Sequence, residues 1–205
     1  EVRKFGGNLP AAKAFYDALL ENAGWRRAVT GLLEALLADV DFLSPPAMVP
    51  DDVPLELHAS YSAREALAAF GYEQAANFRE GVMYLKDRHA DLFFVTIDKE
   101  ERHFALSRRY DDYAMNATRF HWQTQSTTRS ESDKGRRYRA VDFRNEDAPQ
   151  AHLFVREKKN EKGATQPFVY LGRLAHVSDT GECPMSIVWE LETPIPARWL
   201  DRFMR

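Results

Sequence analysis

The 205-residue chain has a single cysteine, Cys183. That excludes an internal disulfide framework and any zinc site built from several cysteines, and it suits a reducing cytoplasm, the compartment expected here. The histidines at positions 58, 89, 103, 121, 152 and 176 are scattered, with no His-Glu-x-x-His and no His/Cys pair at ligand spacing. No metal site and no cofactor is expected. There is no Gly-x-Ser-x-Gly elbow, and Gly6-Gly7 and Gly71 lack the spacing and the lysine of a phosphate loop. The chain does not read as an ATPase, and no catalytic residue is assigned to it. No apolar run approaches the ~20 residues of a membrane span, and no signal peptide is visible. An excess of positive charge is also missing: 28 Lys and Arg face 31 Asp and Glu, for a net charge of -3. Any nucleic-acid site must therefore come from charge gathered locally.

What is present divides into a helical third and a strand-rich remainder. Ala14, Phe15, Ala18 and Leu19 recur at helical spacing until Gly24 breaks the run. A second helix reads from Trp25 to Leu37, with Val29, Leu32, Leu33, Leu36 and Leu37 on one stripe of the helix-packing kind. Asp39 to Glu56 carries four prolines and no Lys or Arg, the composition of a linker or surface arm, and a domain boundary is expected there. Ser62-Ala-Arg-Glu65 is a capping box opening a short helix that Gly71 closes, and His58 before it reads as a structural hydrogen-bonder.

Beyond Gly81 the period is that of strands. Residues 81–85 and 91–97 suggest a hairpin, followed by strands at 104–106, near 120, and at 138–143, 152–156, 168–175 and 185–191. Lys158 to Gly163 reads as an exposed hairpin loop, and Trp199 to Met204 as a short amphipathic tail. The expected fold is α+β: a curved, mainly antiparallel sheet or partly open β-barrel, with flanking helices and an N-terminal helical segment. Residues 1–50 form the helical segment and 55–205 the α+β domain.

The chemistry concentrates in Arg119 to Arg139, where six basic residues face two acidic ones. Tyr110, Tyr113, Phe120 and Trp122 fall within thirteen residues, enough rings to sandwich a base. Asp111 or Asp112 is placed to accept from a cytosine amine, and Gln123 or Gln125 to read an amide-like edge. The expected base-binding set is Tyr110, Asp112, Tyr113, Trp122, Gln123 and Gln125. Arg129, Lys134, Arg136, Arg137 and Arg139 would hold phosphates, with Arg156 and Lys158 in a second basic patch beside Lys159 and Lys162. Strand alternation equally allows Phe120 and Trp122 to point into the core. A competing pattern, Asp142 with Glu157-Lys158-Lys159, matches the loose carboxylate-and-lysine spacing of Mg²⁺ nucleases.

An ordered set of short motifs runs through the chain. It comprises Tyr61-Ser-Ala-Arg-Glu65-Ala-Leu-Ala-Ala-Phe-Gly71, Gly81-Val, Phe94-Val-Thr-Ile-Asp-Lys99, Tyr110-Asp-Asp-Tyr113, Phe120-His-Trp-Gln-Thr-Gln125-Ser, Gly135-Arg-Arg-Tyr138, Leu153-Phe-Val-Arg-Glu157, Tyr170-Leu-Gly172 and Pro184-Met-Ser-Ile-Val-Trp189. From about His58 to Pro196 the chain resembles the uncharacterised C-terminal domain of bacterial superfamily 2 helicases that often carry a phospholipase-D-like nuclease. The resemblance implies a piece of a modification-dependent restriction system used in phage defence, with residues 1–50 a connector from a preceding helicase. The opening at Glu1 without a methionine fits that expectation. In such an architecture the linked nuclease cuts and the helicase translocates. This domain would then be a non-catalytic reader of duplex DNA, sensing 5-methylcytosine or 5-hydroxymethylcytosine by extruding the base into an aromatic pocket. A docking module for the helicase and a Mg²⁺ nuclease are the alternatives. A phosphorothioate backbone is a further target that similar cations would suit.

Overall fold

The computed structural model describes residues 14, 17, 20–38, 53–75, 78, 81–98, 112–161 and 163–204. Tyr110, Lys162 and the strand expected at 104–106 lie outside the described residues. Contacts divide the chain into two units, Glu1–Pro45 and Pro46–Arg205. The first contains helix α1, Ala23–Ala38. Asn22 caps it, its Oδ1 accepting the Trp25 N–H at 3.0 Å. Gly24, expected to break the helical run, instead lies inside the first turn of α1, where the cap starts the helix before it.

The second unit is an α+β fold on a curved, mixed, mostly antiparallel sheet of eight strands that does not close into a barrel. Strand β1 (Ser60–Tyr61) leads into α2 (Ala63–Ala69). Ser62 and Glu65 form the reciprocal capping box, at 3.2 Å and 2.7 Å. At the other end Gly71, with φ of 82°, takes the left-handed turn and donates to Ala68 O, while Tyr72 N–H reaches Leu67 O. Those two bonds satisfy carbonyls that the helix leaves open, and a residue with a Cβ would resist that φ. His58 also has a positive φ of 64°, and its backbone N–H donates to Tyr170 O at 2.8 Å. Its structural bond is thus made by the backbone; the ring Nε2 is buried without a partner among the described residues.

Strands β2 (Val82–Leu85) and β3 (Ala90–Asp98) form the expected hairpin across a 3₁₀ turn, Lys86–Arg88. Next come β4 (Tyr113–Asn116), β5 (Arg119–Gln123), α3 (Asp133–Arg139), β6 (Gln150–Lys158) and the small hairpin β7 (Asn160–Glu161) and β8 (Ala164–Thr165). The long β9 (Phe168–Thr180), β10 (Ser186–Leu191) and α4 (Ala197–Phe203) complete the unit. The sheet order is β2-β3-β6-β9-β10-β5-β4, with β1 beside β9. Among the described residues one pair, β3–β6, is parallel, because the chain leaves β3, builds β4, β5 and α3, and returns.

The strand expected at Tyr138–Phe143 is overturned: α3 ends there, and a turn follows. Ser132 caps α3 by accepting the Gly135 N–H at 3.1 Å, Asp133 sits in the first turn, and Arg136, Arg137 and Arg139 sit in the last. Acid at the start and base at the end suit the helix dipole. Gly135 is required by packing, since a Cβ there would lie 2.1 Å from Arg129 O and 2.6 Å from Ser130 O.

Alternate residues of β3, β6 and β9 enter two cores, one on each face of the sheet. Phe93, Leu153, Val155 and Leu171 join Phe120, Trp122, Tyr138, Ile187, Trp189 and Phe203 on one side. Leu92, Phe94, Phe154, Phe168 and Tyr170 pack against Val53, Leu55, Leu57, Leu67 and Phe70 on the other. Covering both faces explains the unbroken apolar runs of β3 and β6. Each buried Phe or Leu contributes about 1.5–3 kcal/mol.

Candidate functional site

Strands β4 and β5 present one face to the core and one outward. Phe120 and Trp122 are buried, while His121 and Gln123, alternating with them, are half-buried. Trp122 packs edge-on against Phe93 at 4.6 Å and Tyr138 at 5.6 Å, so the structure places this candidate base-stacking ring in the core. Outward, Tyr113 pairs with His121 across the hairpin, and the two rings stack at 5.0 Å with 25° between planes. Gln123 follows on the same face and donates from Nε2 to Ser186 Oγ at 3.2 Å. Asp112 is buried, and its Oδ1 accepts the Gln123 backbone N–H at 2.9 Å. Its carboxylate therefore holds β4 against β5 one step beyond the ladder.

The loop after β5 is pinned at several points. Thr124 exchanges bonds with Met185: its N–H donates to Met185 O, and its Oγ1 accepts the Met185 N–H, both at 2.9 Å. Ser130 donates its N–H to Glu182 Oε2 at 2.9 Å and its hydroxyl to Oε1, which holds the Glu182 carboxyl below its usual range. Exposed Gln125 accepts from Lys134 Nζ at 3.3 Å. Arg129 lies exposed on this loop.

The arginines of α3 are largely engaged within the fold. Arg137 grips Asp91 with two bonds, 2.7 and 3.0 Å, and lies 3.7 Å over the Tyr84 ring. Burial pushes the Asp91 carboxyl up while the Arg137 fork opposes it, and Arg137 itself is held above its usual value once the pairing outweighs its own burial. Arg139 binds Asp179 at 2.7 Å and Glu131 at 3.1 Å. Arg136 meets Asp133 at 2.6 Å and the Glu131 carbonyl, and stays exposed. The structure brings Tyr113, Gln123, Asp112, Gln125 and Lys134 together around the end of β5, and turns Trp122 and Arg137 inward.

Arg156 and Lys158 lie elsewhere, in a cleft of about 230 Å³ between β6, the start of β9 and α4, with Gln166, Glu157, Trp199 and Arg202. Arg156 Nε donates to Thr96 Oγ1 at 3.0 Å and Nη1 to the Gln166 carbonyl at 3.1 Å, with its plane 4.1 Å over Phe168. Arg202 binds Glu157 at 2.8 Å, and Asp142 is taken by Arg144 at 3.1 Å. Among the described residues no group of three His, Cys, Asp or Glu is placed to hold a metal ion, and no described helix is long and apolar enough to cross a membrane.

Sequence reasoning missed His121, Trp199 and Arg202. His121 was findable from strand alternation opposite Tyr113. The other two reach the cleft through a helix some forty residues away, and no local pattern signals that. A family described as Domain of unknown function (DUF3427) matches residues 55–203. No curated protein matches the chain.

Proposed function

The chain belongs to the DUF3427 family, and on that premise we propose that it is the DNA-recognition domain of a modification-dependent restriction system. It binds duplex DNA and senses a modified cytosine, as part of a longer bacterial protein that supplies helicase and nuclease activities. The observation that carries this reading is the Tyr113–His121 ring stack on the hairpin face opposite the core, with the Gln123 amide one step along the same strand. A flat ring pair offers a surface on which an extruded base stacks, for ~1–3 kcal/mol per base. A neighbouring amide can both donate to and accept from a base edge. Asp112 supports the pair from behind by fixing the backbone at Gln123. Exposed Arg129 and Arg136, on the loop and helix that follow, face solvent where a phosphate backbone would pass.

The test is a fluorescence-anisotropy titration of the chain against matched duplexes carrying cytosine, 5-methylcytosine or 5-hydroxymethylcytosine, at two salt concentrations. Tighter binding to one modified duplex is expected, with an affinity that falls as salt rises because phosphate contacts release counterions. Equal affinity for all three duplexes, or no binding to any, would overturn the reading, and absence of binding would favour a docking module.

A further inference from the structure

Two partly buried arginines in this fold are matched to carboxylates: Arg137 to Asp91 and Arg173 to Glu192. Arg156 is different. Its described contacts are a hydroxyl, a carbonyl and a ring, groups that orient a guanidinium without neutralising it. Burial pushes its pKa down, with no carboxylate acting against that. The charge is thus fixed in place, partly desolvated and, among the described residues, short of a counter-anion, the condition in which a charge-assisted bond to an oxyanion is strongest.

The surroundings specify more than an anion. Trp199 lines the same cleft, stacked parallel on Phe203 at 5.9 Å, and its indole N–H is buried without an acceptor among the described residues. Glu157 and Glu161 add acceptors along the wall. The volume of about 230 Å³ falls below that of a drug-sized pocket and suits one compact unit.

We propose that this cleft binds a nucleotide unit, its phosphate on Arg156 and its base against the wall that carries Trp199. A free mononucleotide and one unit of a DNA strand present the same groups. The proposal does not rest on the hairpin face, and Tyr113→Ala is its control.

The experiment follows the Trp199 indole and Arg156 Nε signals of the ¹⁵N-labelled chain during titration with inorganic phosphate, dCMP and a short single-stranded oligonucleotide. Trp199→Phe and Arg156→Lys assign the two signals. Saturable movement of both by dCMP is expected, at about ten-fold lower concentration than by phosphate, with about ten-fold weakening in Arg156→Gln. Arg156→Lys keeps the charge and loses the fork, and should fall between the two. Tighter saturation by the oligonucleotide assigns the unit to DNA, and tighter saturation by dCMP assigns it to a free nucleotide. The proposal is overturned if phosphate and dCMP act alike, if neither moves the signals, or if movement persists unchanged in a well-dispersed Arg156→Gln spectrum. It is also overturned if Tyr113→Ala abolishes the movement, since binding would then belong to the hairpin.

Discussion

Helix α3 and the end of strand β6 are the two basic regions that the sequence singles out, and the fold treats them in opposite ways. On α3 the cationic cluster is answered by Asp91, Glu131, Asp133 and Asp179, three of them from the loop or strands around the helix. At β6 Lys158 is half-buried and Lys159 beyond it exposed, while Arg156 is partly buried against neutral oxygens. Density of positive charge along a sequence therefore says little about charge available to a ligand. Availability depends on which carboxylates the topology brings up.

Breaking the best-matched pair should have the largest effect. Asp91→Ala turns Arg137 into an inward-facing cation without its anion, and should cost about 3–5 kcal/mol in denaturant unfolding. The opposite face of the same sheet holds a buried titratable group with no counter-ion among the described residues. His152 bonds through Nδ1 to Tyr170 OH at 2.8 Å, and burial, aided by Arg173 and Arg88, pulls its pKa down to about 3. The unfolded chain then binds the extra proton between the ordinary histidine value and that one, so stability falls as pH drops through this window. Between pH 7 and pH 5 the loss should be about 2 kcal/mol, and it should vanish in His152→Gln.

Removing the unmatched charge should do little to the fold. Arg156→Gln should change stability by less than about 1 kcal/mol, since a desolvation cost disappears along with two hydrogen bonds. Smallest of all is Arg136→Ala on the exposed side of α3, expected within about 0.5 kcal/mol by the same unfolding measurement. If Arg136→Ala and Asp91→Ala cost the same, the distinction between buried and solvated ion pairs fails.

The frame of the fold was legible because its signals are local. Ser62 and Glu65 announce α2, Gly71 its end, and the charged turn after Leu85 the β2–β3 hairpin. Tyr138–Phe143 was misread because its apolar members, Tyr138 and Val141, do enter a core, and the helix is declared only by Ser132 and the charge order behind it. Trp122 shows the same limit at the site. Alternation fixes that it opposes His121 and Gln123, but which face is solvated depends on Phe93, Tyr138 and Trp189, all distant in sequence. The cleft was illegible as a unit, because Arg156, Gln166 and Trp199 meet only through the β6–β9–α4 packing.

The central claim is that the outward face of the β4–β5 hairpin reads a modified base. Its most direct test compares wild type and Tyr113→Ala in anisotropy titrations of cytosine-modified and unmodified duplexes. The account predicts that Tyr113→Ala loses ~1–3 kcal/mol on the modified duplex and much less on the unmodified one, so that discrimination collapses. Unchanged discrimination in a folded Tyr113→Ala protein would contradict it.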